Sequence, residues 1–254
     1  MANVNKSQLV WGSNRRSCSK CILFVGGSGD LGEDFIPIMK SVSEKRPDIS
    51  CCAVTFSVLT EVGNALDTQA EELVEVCREL HRNGVDELDI FATSMGTYST
   101  CFVLANKQLT ERIKTVILFD PADYYLHHQI KNLTEDITWA GYMEYNPEKP
   151  VVSDLLKGIL GNATVNVIHL TVRCYTPKGY VAPEYKDRAV DYPFAFPRLN
   201  TAMVHAIYAK LPKRNKGVYT EISGVPHGFF RDGDVAHNQM VIIDTVCQLL
   251  PKSE

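Results

Sequence analysis

Short apolar runs alternate along the chain with longer segments in which apolar residues recur at helical spacing. The apolar runs have the length of buried strands, and they lie near residues 21–26, 51–57, 88–92, 115–120, 165–172 and 217–223. The longer segments predict helices near residues 31–44, 65–83, 95–107, 198–211 and 234–250. This alternation is typical of parallel β-α-β units and predicts an α/β fold, to which residues 8–11 can add an edge strand.

The third apolar run ends in a tight turn that carries a serine. Residues 88–97 read Leu-Asp-Ile-Phe-Ala-Thr-Ser-Met-Gly-Thr, so the small residues Ala92 and Gly96 flank Ser94 where a strand passes into a helix. Such a turn strains the backbone and lifts the serine Oγ clear of the sheet. The next residue, Met95, begins the helix with a free N–H that can help to stabilise an oxyanion. The pattern indicates a nucleophile elbow, although an ordinary strand-to-helix turn can have the same sequence.

A histidine follows the last predicted strand, between Pro226 and Gly228 in a turn typical of the surface rim. With Ser94 before it and His227 here, the chain resembles the α/β-hydrolase family from about Cys21 to Leu250. The resemblance implies a three-layer α/β-hydrolase fold, with a mostly parallel sheet of about six strands and helices on both faces. It also implies the chain order nucleophile, acid, histidine, with alanine standing at the start of the elbow where the family usually has glycine.

The acid has two candidate places in this resemblance. One is the end of the fourth predicted strand, where Asp120 precedes Pro121 in a sequence similar to the Leu-Asp-Pro-Ala of the pancreatic-lipase group. The other follows the fifth predicted strand, where the first carboxylates are Glu184, Asp187 and Asp191. We favour Asp120 because a strand end fixes its direction, but an Asp before Pro is also a common turn residue, so the choice stays open.

The glycine turn, residues 26–32, follows the first long strand and matches the dinucleotide-binding pattern G-x-G-x-x-G from Gly27 to Gly32. It looks like the cofactor turn of short-chain dehydrogenases. That family also needs a Tyr-x-x-x-Lys pair about a dozen residues after Ser94. The literal match, residues 145–149, contains a proline that would break the required helix. We therefore interpret the turn as an oxyanion turn, with the Ser28 N–H as a second donor beside Met95.

A long segment, residues 121–164, separates the fourth predicted strand from the fifth. In the resembled family a lid is inserted here, within a single domain that would span residues 1–254. The segment is rich in aromatic residues, which favours the wall of an apolar substrate pocket, although for any one of them we prefer packing of the lid onto the body as the explanation.

Composition narrows the functional classes. The chain has 254 residues, 45% of them hydrophobic and 22% charged, which suffices for one large core. A net charge of −4 provides no basic surface for nucleic acid. The sequence contains no run of ~20 apolar residues and no apolar leader at its N-terminus, so we expect a cytoplasmic protein without stable membrane insertion. The eight cysteines and seven histidines show no metal-ligand spacing, and no metal is predicted.

These features predict a serine hydrolase that cleaves a carboxylic ester or thioester of a small to medium, partly apolar acyl group through an acyl-enzyme. Ser94, His227 and Asp120 or Asp187 form its triad, and no cofactor is needed. Two alternatives are an NAD(P)-dependent, short-chain dehydrogenase-like protein that uses the glycine turn, and a catalytically silent α/β-hydrolase-fold protein that binds a small ligand. The sequence leaves open whether the chain forms a homo-oligomer.

Overall fold

The computed structural model describes residues 7–12, 19–27, 29–58, 65–121, 161–170, 204–205, 207–231 and 233–251. Seven strands lie within them: β1 Gln8–Trp11, β2 Lys20–Val25, β3 Ser50–Thr55, β4 Glu87–Ser94, β5 Ile113–Pro121, β6 Thr164–Leu170 and β7 Lys216–Ile222. The α-helices are α1 Ile36–Lys45, α2 Ala65–Arg82, α3 Gly96–Leu104, α4 Lys107–Thr110 and α5 Val235–Leu249. Short 3-10 helices cover Gly32–Phe35 and Lys213–Asn215, and residues 204–205 and 207–210 are also helical.

The strands form one sheet in the order β1-β3-β2-β4-β5-β6-β7. All neighbours are parallel except β1, which pairs antiparallel with β3 from Gln8 opposite Thr55 to Trp11 opposite Cys52. The α/β prediction and all six predicted strands are therefore confirmed. The count of about six is one too low because the edge strand at Gln8–Trp11 does pair with the sheet.

Both faces of strands β2 to β6 are buried, which explains why these strands read as continuous apolar runs rather than as alternating patterns. Residues such as Leu23 and Leu118 face one core, together with Leu73 of α2. Their neighbours Phe24 and Phe119 face the other core, together with Ile38 of α1. Helices on both faces hold the central strands rigidly, and the candidate site lies at the carboxyl ends of those strands.

Two predicted helices are interrupted for local reasons. The segment predicted near 31–44 starts as a 3-10 turn, in which the Asp34 carboxylate accepts the Leu31 N–H at 2.8 Å, and becomes α-helical at Ile36. The segment predicted near 95–107 ends as α3 at Leu104, and Asn106 then caps α4 by accepting the Gln108 N–H. Polar side chains that bond nearby N–H groups therefore set the start of the 3-10 turn and the start of α4.

Several predictions concern residues outside the described part. Most of the predicted lid at residues 121–164 lies outside the described residues. The exceptions are Pro121, which ends β5, and residues 161–164, which lead into β6. The acid alternatives Glu184, Asp187 and Asp191 lie there as well. The single-domain prediction for residues 1–254 stays a prediction. None of the helices in the described ranges combines the length and the apolar character that crossing a membrane would require.

Candidate active site

Ser94 ends β4 in a strained conformation, one residue after the buried Thr93 and two before α3 begins at Gly96. Its φ of 49° lies in the left-handed region, which non-glycine residues rarely adopt and which costs of order 1–3 kcal/mol at such sites. The predicted elbow geometry is therefore present at this serine. Strain of this kind persists only where the surrounding structure enforces it.

Close approach of the glycine turn to the elbow supplies that enforcement. A Cβ on Gly96 would lie 2.6 Å from the Gly26 carbonyl oxygen and 2.8 Å from that of Val25, so only glycine fits there. A Cβ on Gly27 would lie 2.7 Å from the Cβ of Ser94. The two small residues thus let the turn after β2 lie directly against the serine.

Three of the predicted site residues meet at this point. His227 Nε2 lies 3.0 Å from Ser94 Oγ, and His227 Nδ1 lies 2.5 Å from Asp120 Oδ2. Asp120 is 0% exposed, and its other oxygen, Oδ1, accepts the Leu170 N–H at 3.2 Å. The structure therefore brings Ser94, His227 and Asp120 into one hydrogen-bonded path, and of the predicted acids Asp120 is the one within the described residues.

A β-bulge directs the Asp120 side chain. In the pairing of β4 with β5, Thr93 lies opposite Phe119 but Ser94 lies opposite Pro121, so Asp120 is the extra residue. Its φ is 46°, again in the left-handed region. Pro121 has no N–H and cannot extend the ladder as a donor, which favours an irregular strand end here. The Asp-Pro pair was visible in the sequence, but the bulge that it accompanies was not.

This arrangement can move a proton. A buried carboxylate against Nδ1 holds the ring proton on that nitrogen, which leaves Nε2 free to accept the proton of Ser94 Oγ. The same carboxylate stabilises the imidazolium that forms. The chemistry available is general-base activation of a serine at the end of a buried strand.

Of the two predicted oxyanion donors, Met95 lies within the described residues and Ser28 does not. Met95 follows Ser94 and immediately precedes α3, where the first N–H groups have no acceptor within the helix. Ser28 lies outside the described residues, although its neighbour Gly27 lies against Ser94. Both donor roles therefore stay predictions.

Sequence reasoning missed Asp30, which it treated only as a variable position of the glycine turn. Asp30 Oδ2 accepts the Gly27 N–H at 2.7 Å, and Arg231 Nη2 donates to Asp30 Oδ1 at 3.3 Å. Burial raises the pKa of the Asp30 carboxyl. The sequence held no signal for this pair, because its members stand 201 positions apart and only the fold joins them.

The glycine turn also differs from a dinucleotide site. The Gly27 N–H, a donor that a pyrophosphate would need, already binds a carboxylate. The first parallel strand, β2, lies between the second and third, β3 and β4, whereas the dinucleotide-binding order 3-2-1-4-5-6 places the first strand beside the second and fourth. The dehydrogenase alternative thus disagrees with both the strand order and the turn.

Within the described ranges, His, Cys, Asp and Glu side chains form no group of three that could hold a metal ion. Several cysteines there are free and buried, among them Cys51 and Cys77, whose thiol pKa values burial raises to about 12. Such thiols behave as small apolar side chains.

No protein-family model matches the chain, and no curated protein matches it by sequence. Solved structures do match. The monoacylglycerol lipase of Paleococcus ferrophilus has 10% identity and a TM-score of 0.54 over 97% of this chain and 100% of its own. Est1E from Butyrivibrio proteoclasticus has 12% identity and a TM-score of 0.57 over 97% of this chain and 94% of its own.

A lipase-esterase related protein from Clostridium acetobutylicum is 14% identical, with a TM-score of 0.54 over 97% of this chain and 100% of its own. These similarities and the seven-stranded, mostly parallel sheet define the fold: the chain has the α/β-hydrolase fold. At such identities the likeness defines the fold alone, and the reaction has to be argued from the site.

Proposed function

We propose that this protein is a serine hydrolase that cleaves a carboxylic ester or thioester. The observation that carries the proposal is the path from Ser94 Oγ to His227 Nε2, 3.0 Å, and from His227 Nδ1 to Asp120 Oδ2, 2.5 Å. The strained φ values of Ser94 and Asp120 support it, because strain clusters at sites where geometry serves chemistry. The esterases and lipases among the structural neighbours add weight to a hydrolytic reaction.

The proposed reaction has two halves. Ser94 Oγ bonds to the acyl carbon as its proton passes to His227 Nε2, and the carbonyl oxygen becomes an oxyanion held by the Met95 and Ser28 N–H groups. The ester or thioester bond then breaks, and His227 returns the proton to the leaving alcohol or thiol. In the second half, water attacks the acyl carbon while His227 takes its proton, and that proton returns to Ser94 Oγ as the acid leaves.

The finer parts of the proposal rest on the sequence. The aromatic content of residues 121–164 supports a small to medium, partly apolar acyl group. A cytoplasmic location stays a prediction, as does the independence from any cofactor.

An active-site-directed fluorophosphonate tests the proposal, since Ser94 Oγ would attack its phosphorus and expel fluoride. We expect covalent labelling of the wild-type protein at Ser94 and none in Ser94→Ala, with ester turnover reduced by several orders of magnitude. Ser223→Ala is the matched control, because Ser223 is exposed near His227 and outside the hydrogen-bonded path.

Labelling that persists in Ser94→Ala would contradict the assignment of the nucleophile. A wild-type protein that is folded but neither labelled nor active on esters would instead favour a catalytically silent, ligand-binding member of the fold.

A further inference from the structure

Two segments from opposite ends of the chain meet beside Ser94. Gly27 of the glycine turn lies against Ser94 on one side, and His227 of the histidine loop, residues 223–231, contacts it on the other. Arg231 Nη2 reaches across to donate to the Gly29 carbonyl oxygen at 3.1 Å and to Asp30 Oδ1 at 3.3 Å. Phe230 packs edge-on against Phe35, with ring centroids 4.7 Å apart, and so joins the histidine loop to the 3-10 helix that follows the glycine turn. The approach of the two segments is therefore supported by polar and aromatic contacts together.

Asp30 also organises the turn from within. Its Oδ2 accepts the Gly27 N–H at 2.7 Å while its own N–H donates to the Gly27 carbonyl oxygen at 3.4 Å. The two carboxylate oxygens thus serve different partners, one inside the turn and one in the histidine loop. Displacing Asp30 would release Gly27, the residue that lies against Ser94.

The contacts close a ring around the candidate site. Ser94 contacts His227 on one side and Gly27 on the other, and Gly27 is joined through Asp30 to Arg231. The Arg231 N–H donates to the Gly228 carbonyl oxygen at 2.8 Å, which closes the turn directly after His227. A shift of either segment would therefore change the distance between the glycine turn and the nucleophile.

Charge explains why an arginine is needed. A half-buried carboxylate such as Asp30, close to the place where an oxyanion forms, opposes that negative charge, and a neighbouring guanidinium offsets it. Burial raises the pKa of the Asp30 carboxyl, and the hydrogen bond from the Gly27 N–H and the charge of Arg231 counteract the increase. Asp34, with Oδ2 4.0 Å from Arg231 Nη2, adds a second acidic group. Arg231 is 60% exposed, so this ion pair contributes little to the stability of the fold. We therefore look for the role of this ion pair in the geometry of the site rather than in the stability of the fold.

We propose that Asp30 and Arg231 form a clasp that fixes the glycine turn relative to Ser94 and His227. Asp30 and Arg231 are thus positioning residues for the reaction proposed above, on which this inference rests. Neither residue takes part in bond formation. Their effect is to hold the oxyanion side of the site at the distance that the reaction requires.

Arg231→Gln, Asp30→Asn and the double variant test the clasp in the full-length protein with p-nitrophenyl butyrate. We expect kcat to fall about 10- to 100-fold in each single variant, as for a displacement of about 1 Å, with KM changed less than about threefold. The double variant should be no worse than the poorer single variant, because both break the same contact. Arg231→Lys, which keeps the charge, should recover part of kcat. Lys45→Gln is the matched control, since Lys45 forms an exposed ion pair with Asp244 at 2.6 Å.

A measurement without substrate separates the clasp from the proposed function. In the wild-type protein the Gly27 N–H is hydrogen-bonded to Asp30. We expect its hydrogen exchange, followed by NMR, to accelerate at least about tenfold in Arg231→Gln and Asp30→Ala, whereas core amides of β4 keep their rates. If fluorophosphonate fails to label the wild-type protein, the proposed function fails, but this exchange rate still reports the clasp.

Unchanged Gly27 exchange in Arg231→Gln would overturn the clasp itself. Faster exchange with unchanged kcat and labelling rate would overturn its positioning role. A loss of activity that follows only the melting temperature, and that Arg231→Lys does not relieve, would indicate a purely structural contact.

Discussion

Two histidine–carboxylate arrangements lie at the carboxyl ends of neighbouring strands, and they differ in burial and distance. At the end of β5, Asp120 is 0% exposed and lies 2.5 Å from His227. At the ends of β6 and β7, Glu221 is 47% exposed and lies 3.8 Å from His169. Both arrangements pair a histidine with an acidic residue, but only the first combines a buried acid, a short contact and a serine. Geometry and burial therefore distinguish a candidate catalytic pair from an ordinary polar cluster.

The surroundings of Glu221 explain its different character. Tyr219 donates a hydrogen bond to Glu221 Oε1 at 3.0 Å, and His205 Nε2 lies 3.7 Å from the same oxygen. The Tyr219 hydroxyl lowers the pKa of Glu221, with the nearby histidines adding to the effect. A carboxylate shared among several partners in contact with water holds no ring in a fixed orientation. It offers a natural internal control for the His227–Asp120 pair.

The largest contrast should lie between His227 and His205, one histidine from each arrangement. We expect His227→Gln to lower ester turnover by about six orders of magnitude, because the loss of a triad base costs about as much as the loss of the whole triad. His205→Gln should change turnover less than twofold. Steady-state kinetics with equal amounts of folded protein measures both, and comparable losses in the two variants would remove the distinction drawn here.

The next contrast lies between the acids. Asp120→Asn should lower turnover by roughly four orders of magnitude with little change in substrate binding, because the amide favours the wrong tautomer of His227. Glu221→Gln should remain close to wild type. If Asp120→Asn keeps more than about a tenth of wild-type turnover while Asp187→Asn or Asp191→Asn abolishes it, the acid has been assigned to the wrong residue; a tenfold change is ~1.4 kcal/mol.

A smaller difference should appear in the pH dependence of stability. The folded protein lowers the pKa of Glu221. Its contribution to the free energy of unfolding is therefore present at pH values above its pKa in the unfolded chain, and it is lost as the pH falls through its pKa in the folded protein. The contribution of Asp30 depends on pH in the opposite direction, because the folded protein raises its pKa. This contribution to the free energy of unfolding is present at pH values below the pKa of Asp30 in the unfolded chain, and it is lost as the pH rises through its pKa in the folded protein. Glu221→Gln should therefore flatten the acid side of the curve, and Asp30→Asn should reduce the loss of stability on moving toward neutral pH. Chemical denaturation at a series of pH values measures both slopes.

The last prediction is that NAD and NADP leave the melting temperature unchanged. If the glycine turn bound a dinucleotide, NAD or NADP would raise the melting temperature by mass action. Because the Gly27 N–H already binds Asp30, we expect no shift with either cofactor. A saturable increase at sub-millimolar cofactor would restore the dehydrogenase alternative.

The sequence by itself determined the elements and the local chemistry. Apolar runs and the helical spacing between them are local properties, so β2 to β7 could be predicted to within a few residues. The elbow at Ser94 was readable for the same reason, since its small neighbours stand within two residues of it. Asp120 could be named as a candidate, because a strand end limits where a side chain can go.

Only the tertiary structure determined which other residues these side chains contact. The meeting of Asp120 with His227 depends on the order of β5, β6 and β7 in the sheet and on a one-residue bulge, neither of which the pattern of apolar residues encodes. The contact between Asp30 and Arg231 joins positions 201 residues apart. Local sequence fixes backbone conformation over a few residues, whereas contacts between distant segments arise only when the whole sheet has formed. The candidate nucleophile could therefore be predicted from the sequence, and the clasp could not.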